Sequence, residues 1–319
     1  MDNLLDTIKL GDLRLKNRIV LPPMQTSKAG EDGEVTDELI DHYGQYSKDV
    51  GLIVVEHSFV SLEGRSSSSQ LGIDKDNLLP GLEKLAETAK RGGAGALIQL
   101  NHAGLKSSGA RLNLLDHDYE GSLSKYSREE LERIVESFVE ATRRAMRAGF
   151  DGVEIHGAHG FLLSEFVSQI TNDREDEYGG DLGNRIKFPL KVVKRVRKEL
   201  DGVLSYRLGA TDLDPRGWSL EDAKTLAKKL DDLKVDLFDV SGGLCGDSPE
   251  ELGDEQGYFV PHATEIGKVV SSPVVGVGGI TDPGYANDLV STGSLDLVAV
   301  GRAQYKDPSW AAKAIKELN

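Results

Sequence analysis

The chain has 319 residues, of which 39% are hydrophobic, so it can bury a sizeable core and form one barrel-sized domain. Its single cysteine excludes an intramolecular disulfide framework, and its formal net charge of −15 argues against binding to a nucleic-acid backbone. The N-terminus lacks the pattern of a signal peptide, and no apolar run approaches the roughly 18 residues that span a bilayer. We therefore expect a cytoplasmic protein without nucleic-acid or membrane partners.

In chain order, a short hairpin precedes a series of apolar runs. Thr7–Leu15, with Gly11 and Asp12 in its middle, is predicted to form a β-hairpin that caps the bottom of the fold. The runs that follow are short and mostly continuous in apolar character, as in parallel strands that are covered on both faces. The predicted strands are Arg18–Leu21, Gly51–Glu56, Gly95–Leu100, Gly152–His156, Leu204–Leu208, Leu237–Ser241, Val274–Val277 and Leu295–Val300.

Amphipathic helices are predicted between these strands, and two of them have start signals. Ser127 and Glu130 form the pattern of a capping box, and Ser219 with Asp222 is a weaker version of it. The polar region Gly104–Tyr126 is predicted to be a loop over the third strand. Eight strand–helix alternations predict a (β/α)8 TIM barrel in a single domain that spans residues 1–319. The helices are Leu82–Lys90, Glu129–Ala148, Ile186–Leu200, Leu220–Leu233 and Pro283–Val290.

All eight predicted strands end in polar residues or glycines. The active site of such a barrel lies at the C-terminal ends of its strands, and core packing does not explain polar groups at all eight exits. In chain order the exits supply Pro22, Pro23, Met24 and Gln25; Glu56 and His57; Gln99 and His102; His156 and His159; Arg207; Ser241, Gly242 and Gly243; Gly276, Gly278 and Gly279; and Gly301 and Arg302.

The last two exits are predicted to form an anion site. Backbone amides of VGVGGIT and VAVGR near helix N-termini favour a phosphate, and Arg302 adds charge-assisted hydrogen bonds. The glycines lack the full spacing of a dinucleotide fingerprint and the acidic residue about 20 positions later, so we reject a Rossmann interpretation.

The pair His156 and His159 is open to more than one interpretation. Two imidazoles at a strand exit can polarise a substrate oxygen, or they can ligate zinc if Glu56 or His57 supplies a third ligand. The interpretation that the two rings merely pack in the core also stands. Glu154, which alternation places inside the barrel with His156, is predicted to pair with a cation.

These motifs together resemble the Old Yellow Enzyme family of FMN-dependent ene reductases, over nearly the whole chain. The resemblance is greatest to the short, single-domain bacterial branch of that family. The matching segments are KNRIVLPPM (Lys16–Met24), GLIVVEHSFVSLEGR (Gly51–Arg65), IQLNHAG (Ile98–Gly104), GVEIHGAHGFLLSEF (Gly152–Phe166), NDREDEYGGDLGNR (Asn172–Arg185) and VGRAQYKDP (Val300–Pro308).

The resemblance implies a reaction and a role for each strand exit. NADH or NADPH would reduce FMN, and His156 and His159 would bind the carbonyl oxygen of an α,β-unsaturated substrate while hydride passes from flavin N5 to the β-carbon. The residues implied to hold FMN are Pro22, Pro23, Met24 and Gln25 along the ring; His57 at the flavin edge; Gln99 and Arg207 on the ring and ribityl chain; and Gly278, Gly279, Gly301 and Arg302 at the phosphate.

Three positions depart from the family pattern. Phe161 stands where the family usually has the tyrosine that donates a proton to the α-carbon. His57 replaces a small residue at the flavin edge, and Gln25 replaces a frequent cysteine. We therefore hypothesise that flavin binding and reduction persist, while enone reduction is slow or uses His57, Tyr258 or water as proton donor.

Two other functions compete with this interpretation. One is a metal- or base-dependent barrel lyase that acts on a phosphorylated substrate, and the other is a flavin-binding protein whose catalysis has decayed. In each case the expected partner is a small-molecule substrate. The sequence leaves open whether the protein forms a homo-oligomer.

Overall fold

The computed structural model describes residues 2–109, 122–253 and 255–319. A two-stranded hairpin, β1 and β2, precedes the barrel strands β3 to β10. The strands are β1 Ile8–Leu10, β2 Leu13–Leu15, β3 Ile19–Leu21, β4 Leu52–Phe59, β5 Gly95–Asn101, β6 Gly152–Gly157, β7 Val203–Gly209, β8 Leu237–Ser241, β9 Val274–Gly276 and β10 Leu297–Ala299.

Helices connect the strands on the outside of the barrel, and some connections carry a second, shorter helix. They are α1 Asp37–Gly44, α2 Leu79–Lys90, α3 Arg128–Arg147, α4 Leu162–Val167, α5 Leu182–Arg185, α6 Lys187–Glu199, α7 Leu220–Asp232, α8 Val260–Gly267, α9 Pro283–Ser291, α10 Arg302–Lys306 and α11 Trp310–Leu318. Both predicted capping boxes are present, at Ser127 with Glu130 and at Ser219 with Asp222.

The eight strands β3 to β10 form a closed parallel barrel, and β10 pairs with both β9 and β3. This confirms the predicted (β/α)8 TIM barrel. The hairpin is confirmed as well, with Ile8 opposite Leu15 and Leu10 opposite Leu13. Leu10 and Leu15 are buried in one cluster with barrel residues such as Leu97, so the hairpin closes the lower end of the barrel.

The predicted boundaries were wrong at the second barrel strand. It was expected to end at Glu56, but β4 continues to Phe59, with a shift of its register against β5 between Val55 and Ser58. An irregularity of this kind interrupts the alternation of side chains. Glu56 therefore bonds to Tyr43 of α1, while His57 reaches the upper end of the barrel interior.

The predicted loop Gly104–Tyr126 is only partly described. Gly104–Gly109 and Leu123–Lys125 are short 3₁₀ helices, where the sequence predicted no regular element. Residues 110–121 lie outside the described residues.

A layer of buried polar side chains lies above the apolar lower interior. The Glu154 carboxyl accepts hydrogen bonds from Gln99 Nε2 at 2.8 Å and Ser205 Oγ at 2.7 Å. The prediction that Glu154 pairs with a cation was wrong, because Arg207 Nη1 lies 3.2 Å from Asp239 Oδ2 instead. Burial and the Asp239 carboxylate raise the pKa of Glu154 to about 8, so the group is largely protonated at neutral pH.

Replacement by the corresponding amide should affect these two neighbouring carboxyls differently. Unfolded glutamate is ionised at pH 7, so Glu154 must take up a proton when the chain folds, and Glu154→Gln removes this cost. We therefore expect this variant to be no less stable than the parent at pH 7. Asp239→Asn leaves the buried Arg207 without its partner and should cost roughly 3 to 5 kcal/mol. Urea-induced unfolding measures both.

The same pair predicts a dependence on pH. The pKa of Glu154 is higher in the folded chain than in the unfolded chain. Its contribution to the free energy of unfolding is therefore complete below the unfolded-state pKa, and it is lost as the pH rises through about 8. Glu154→Gln should therefore gain stability relative to the parent between pH 7 and pH 9. Equal losses for both variants at pH 7 would contradict the assignment of one neutral and one ionised carboxyl.

The capping box of α3 predicts a local effect on stability. Ser127 Oγ accepts a hydrogen bond from the backbone N–H of Glu130, so Ser127→Ala should destabilise the protein by about 1 kcal/mol. Ser137→Ala in the same helix is the matched control, since the Ser137 hydroxyl only bonds back to the carbonyl of Arg133. Urea-induced unfolding should show a change of about 0.5 kcal/mol or less for the control.

Candidate active site

One cavity of about 590 Å³ opens at the C-terminal ends of the barrel strands. Its size is typical of a small-molecule site. Of the predicted site residues, Gly278 is not part of its lining but lies directly before one that is. The others all line it: Pro22, Pro23, Met24, Gln25, His57, Gln99, His156, His159, Phe161, Arg207, Gly279, Gly301 and Arg302.

His156 and His159 lie side by side in this cavity, as their spacing predicted. Their ring centres are 5.1 Å apart, and the rings are nearly perpendicular. His159 has a left-handed backbone with φ of 56°, which is costly for a residue with a side chain. The turn is held by the His159 N–H, which donates to Gly242 O at 3.1 Å, and by Lys106 Nζ, which donates to His159 O at 2.5 Å.

Hydrogen bonds orient both rings. The Ala158 N–H donates to His156 Nδ1 at 3.3 Å, so the neutral ring of His156 carries its proton on Nε2. His159 Nε2 lies 2.8 Å from Ser241 Oγ at the end of β8. The β6 and β8 exits are therefore connected directly through this pair.

The cavity keeps its histidines uncharged. Burial, the neighbouring histidine and Arg207 hold the pKa of His156 well below its usual range. Burial and the cations Arg207 and Lys106 do the same to the pKa of His159. For His57, burial followed by Lys106 and Arg207 lowers the pKa to about 4. All three rings are therefore neutral hydrogen-bonding groups at physiological pH.

Phe161 and His57 complete an aromatic cluster with His156. The ring centre of Phe161 lies 4.8 Å from that of His156 and 5.2 Å from that of His57. Phe161 is also the residue that precedes helix α4, so its backbone position is set by the start of that helix. None of the three rings of this cluster carries a hydroxyl group.

Glycines and an arginine lie at the opposite end of the cavity, after β9 and β10. A Cβ on Gly278 would lie 2.8 Å from the Tyr258 ring, and one on Gly301 would lie 3.0 Å from Met24 Sδ. Arg302 Nη2 donates to Tyr258 Oη at 3.0 Å, and Nη1 donates to Ser248 Oγ at 3.1 Å. This cradle of backbone and guanidinium suits a phosphate.

The predicted helix N-termini at this end are only partly present. Gly301 directly precedes α10, which begins at Arg302. The helix after β9 begins at Pro283, beyond the glycines, so Gly278 and Gly279 belong to a loop. The amides of that loop, rather than a helix terminus, are what this segment offers to an anion.

The cavity also presents an unsatisfied donor to a bound group. Arg207 is almost fully buried, its Nη1 lies 3.2 Å from Asp239 Oδ2, and within the described residues its Nε makes no hydrogen bond. A buried guanidinium with a free N–H beside a cavity suits the polar edge of a flat ring system. Together with the phosphate cradle, this fits a flavin mononucleotide.

Two strand-exit residues are not part of this arrangement. Glu56, the suggested third ligand of a metal, accepts hydrogen bonds from Thr26 N at 3.2 Å and Tyr43 Oη at 3.4 Å instead of facing the histidines. His102 accepts a hydrogen bond from Gly104 N at 3.1 Å and is buried against Gly64.

Sequence reasoning missed two residues beside the histidines. Lys106 lines the cavity, and its ammonium group lies 5.2 Å from the centre of the Phe161 ring. Its position after β5 in NHAGLK was a usable signal. Gln70 bonds to His57, but it follows a run of four serines that gave no signal at all.

None of the helices in the described part of the chain is both long and apolar enough to cross a bilayer.

Comparisons with known proteins are consistent across the chain. A sequence model of the NADH:flavin oxidoreductase / NADH oxidase family matches residues 3–319. An NADH oxidase of Thermoanaerobacter brockii is 38% identical and aligns with 98% of this chain, which spans 50% of that protein. An NADPH dehydrogenase of Bacillus subtilis is 36% identical, with 98% of this chain and 94% of that protein aligned.

The fold has a counterpart among solved structures. The Old Yellow Enzyme homologue from Zymomonas mobilis superimposes with a TM-score of 0.82 at 24% identity, over 100% of this chain and 94% of that one. The sequence match confirms the predicted family, enzyme class and cofactor. The chain belongs to the NADH:flavin oxidoreductase / NADH oxidase family, whose members are NAD(P)H-dependent flavoenzymes of the Old Yellow Enzyme type with FMN as cofactor.

Proposed function

We propose that this chain reduces the carbon–carbon double bond of a small α,β-unsaturated carbonyl compound, or a related electrophile, with electrons from NADH or NADPH. The observation that carries the proposal is the pair of neutral rings of His156 and His159, 5.1 Å apart in the same cavity as the Arg302 cradle. A metal- or base-dependent lyase is disfavoured by the family match.

The chain's own residues divide the cavity into a cofactor part and a substrate part. Bound FMN would accept hydride from the nicotinamide and deliver it to the β-carbon of the alkene. Its phosphate would lie at the Arg302 end. The residues proposed to hold it are Pro22, Pro23, Met24, Gln25, His57, Gln99, Arg207, Gly278, Gly279, Gly301 and Arg302.

The histidines would act on the substrate oxygen. His156 Nε2–H is a fixed donor, because Nδ1 is occupied by the Ala158 N–H. A donor placed where negative charge develops lowers the barrier to hydride addition, and more so in a site that excludes water. Lys106 adds a cation at the same end of the cavity.

The proton for the α-carbon needs another source than residue 161. Tyr258 is a poor candidate, because its hydroxyl donates to Asp247 O at 2.7 Å and lies at the Arg302 end of the cavity. His57 is neutral, with a pKa of about 4, so it holds no imidazolium proton to give at pH 7. We therefore propose water as the donor, at a cost in rate.

The cofactor and the substrate class are tested by one anaerobic experiment. The purified protein should be yellow, should bleach with NADPH, and should regain its colour when cyclohexenone is added. Recovery no faster than that without enone would support decayed catalysis or a different electrophile. A colourless protein that FMN cannot reconstitute would contradict the proposal.

Restoring a phenol at position 161 should accelerate the reaction. General acid catalysis by a positioned side chain contributes typically 10²–10⁴-fold, so we expect Phe161→Tyr to raise the rate of enone reduction by roughly tenfold or more. Stopped-flow reoxidation of the reduced protein measures this rate. Phe161→Leu, which alters packing without adding a hydroxyl, is the control. A fast parent enzyme with no gain in Phe161→Tyr would refute a missing proton donor.

Several features stay predictions. They are the single-domain organisation, the cytoplasmic location, the absence of nucleic-acid and membrane partners, and the possible homo-oligomer.

A further inference from the structure

Gln70 forms a buried connection to the His57 ring. Its side chain is fully buried in the loop that follows β4. Gln70 Nε2 lies 2.8 Å from His57 Nδ1 and donates to the His57 backbone carbonyl at 3.2 Å. The contact therefore joins a residue outside the cavity to one that lines it.

The orientation of the Gln70 amide is fixed by one partner that can only donate a hydrogen bond and one that can only accept. The Ser66 backbone N–H, which can only donate, lies 2.7 Å from Oε1, and the Ser66 hydroxyl donates to the same atom at 3.0 Å. On the other side, the His57 carbonyl can only accept. A flipped amide would place N–H against N–H and oxygen against oxygen, so the amide N–H₂ must face His57.

The direction of this hydrogen bond determines the tautomer of His57. An amide N–H₂ has only protons to offer, so Nδ1 must accept and a neutral ring carries its proton on Nε2. Asn101 Nδ2, 3.3 Å from the same Nδ1, adds a second amide group on this side. No hydrogen bond within the described residues uses His57 Nε2.

We propose that Gln70 is a positioning residue that holds His57 as the Nε2–H tautomer, so that His57 offers the cavity a hydrogen-bond donor and no acceptor. His156 carries its proton on Nε2 as well, and the two ring centres are 6.3 Å apart. The pair of donors favours ligands with a negative or strongly polarised oxygen, such as an enone carbonyl or a carboxylate. This substrate preference rests on the proposed function, whereas the tautomer does not.

A purely structural role for Gln70 makes a different prediction. If Gln70 only ordered the serine-rich loop, its replacement would lower the stability of the protein but would not move a proton within the His57 ring. The tautomer is therefore the quantity that separates the two roles.

Long-range ¹H–¹⁵N correlation spectra of FMN-saturated protein with ¹⁵N-labelled histidine report this tautomer directly. His57→Gln assigns the signals of His57 by their disappearance. In the parent protein at pH 7 we expect a protonated Nε2 and an unprotonated Nδ1. In Gln70→Glu the new carboxylate can accept, so the proton should move to Nδ1 or the ring should take up a second proton. In Gln70→Met a measurable fraction of Nδ1–H should appear.

His156 is the internal control in every spectrum, because a backbone N–H sets its tautomer. Its signals should stay unchanged in both Gln70 variants. A parent protein with the proton on His57 Nδ1 would overturn the proposal even if the variants failed to fold. An unchanged His57 tautomer in folded Gln70→Glu would overturn it as well.

The functional consequence is measured separately. Loss of one hydrogen bond to a polarised oxygen should reduce kcat/KM for cyclohexenone about tenfold in Gln70→Met, while reduction by NADPH remains. A parent protein that ignores the enone would count against the proposed function but would leave the tautomer result intact.

Discussion

The site exists because the barrel closes. β10, the last strand, pairs with β3, the first barrel strand, and places Val298 opposite Ile19. A Cβ on Gly301 would consequently lie only 3.3 Å from Pro22, although the two residues are far apart in sequence. Without this pairing the Arg302 cradle and the Pro22–Gln25 segment would be separate surfaces. Hydrogen bonds between the terminal strands thus hold these two parts of the cavity lining together.

Burial and nearby positive charge then determine the protonation state of the histidines that line the cavity. Arg207 and Lys106 place positive charge beside three histidines, of which His57 and His156 are buried and His159 is half-buried. An imidazolium there would be both desolvated and repelled. The histidines therefore remain neutral donors, and the positive potential is left for an anion or a developing oxyanion. Asp239 pairs with Arg207 inside the barrel and offsets part of its charge.

The sequence was informative where a repeated physical pattern was present. Eight apolar runs followed by polar residues or glycines predicted both the barrel and the location of the cavity, because the C-terminal ends of the strands in a parallel barrel meet at one end. It was wrong about the end of β4, which continues past a register shift to Phe59, although His57, which was expected at this strand exit, lines the cavity. It also failed at Gln70 and Glu154, since their roles depend on side-chain partners from other segments. Pairing partners inside a polar layer are not encoded in local spacing.

Phe161 and His57 are best understood together. Phe161 places a ring without a hydroxyl next to His156, and His57, with its ring centre 5.2 Å from that of Phe161, adds an imidazole N–H to the same cluster. The cluster therefore holds a hydrogen-bond donor but no acid, because a neutral imidazole releases its remaining proton far less readily than a phenol. Under the proposed function, binding of the substrate oxygen and delivery of the proton would be separate tasks. A pocket of this kind can polarise a substrate and still depend on solvent to finish the reaction.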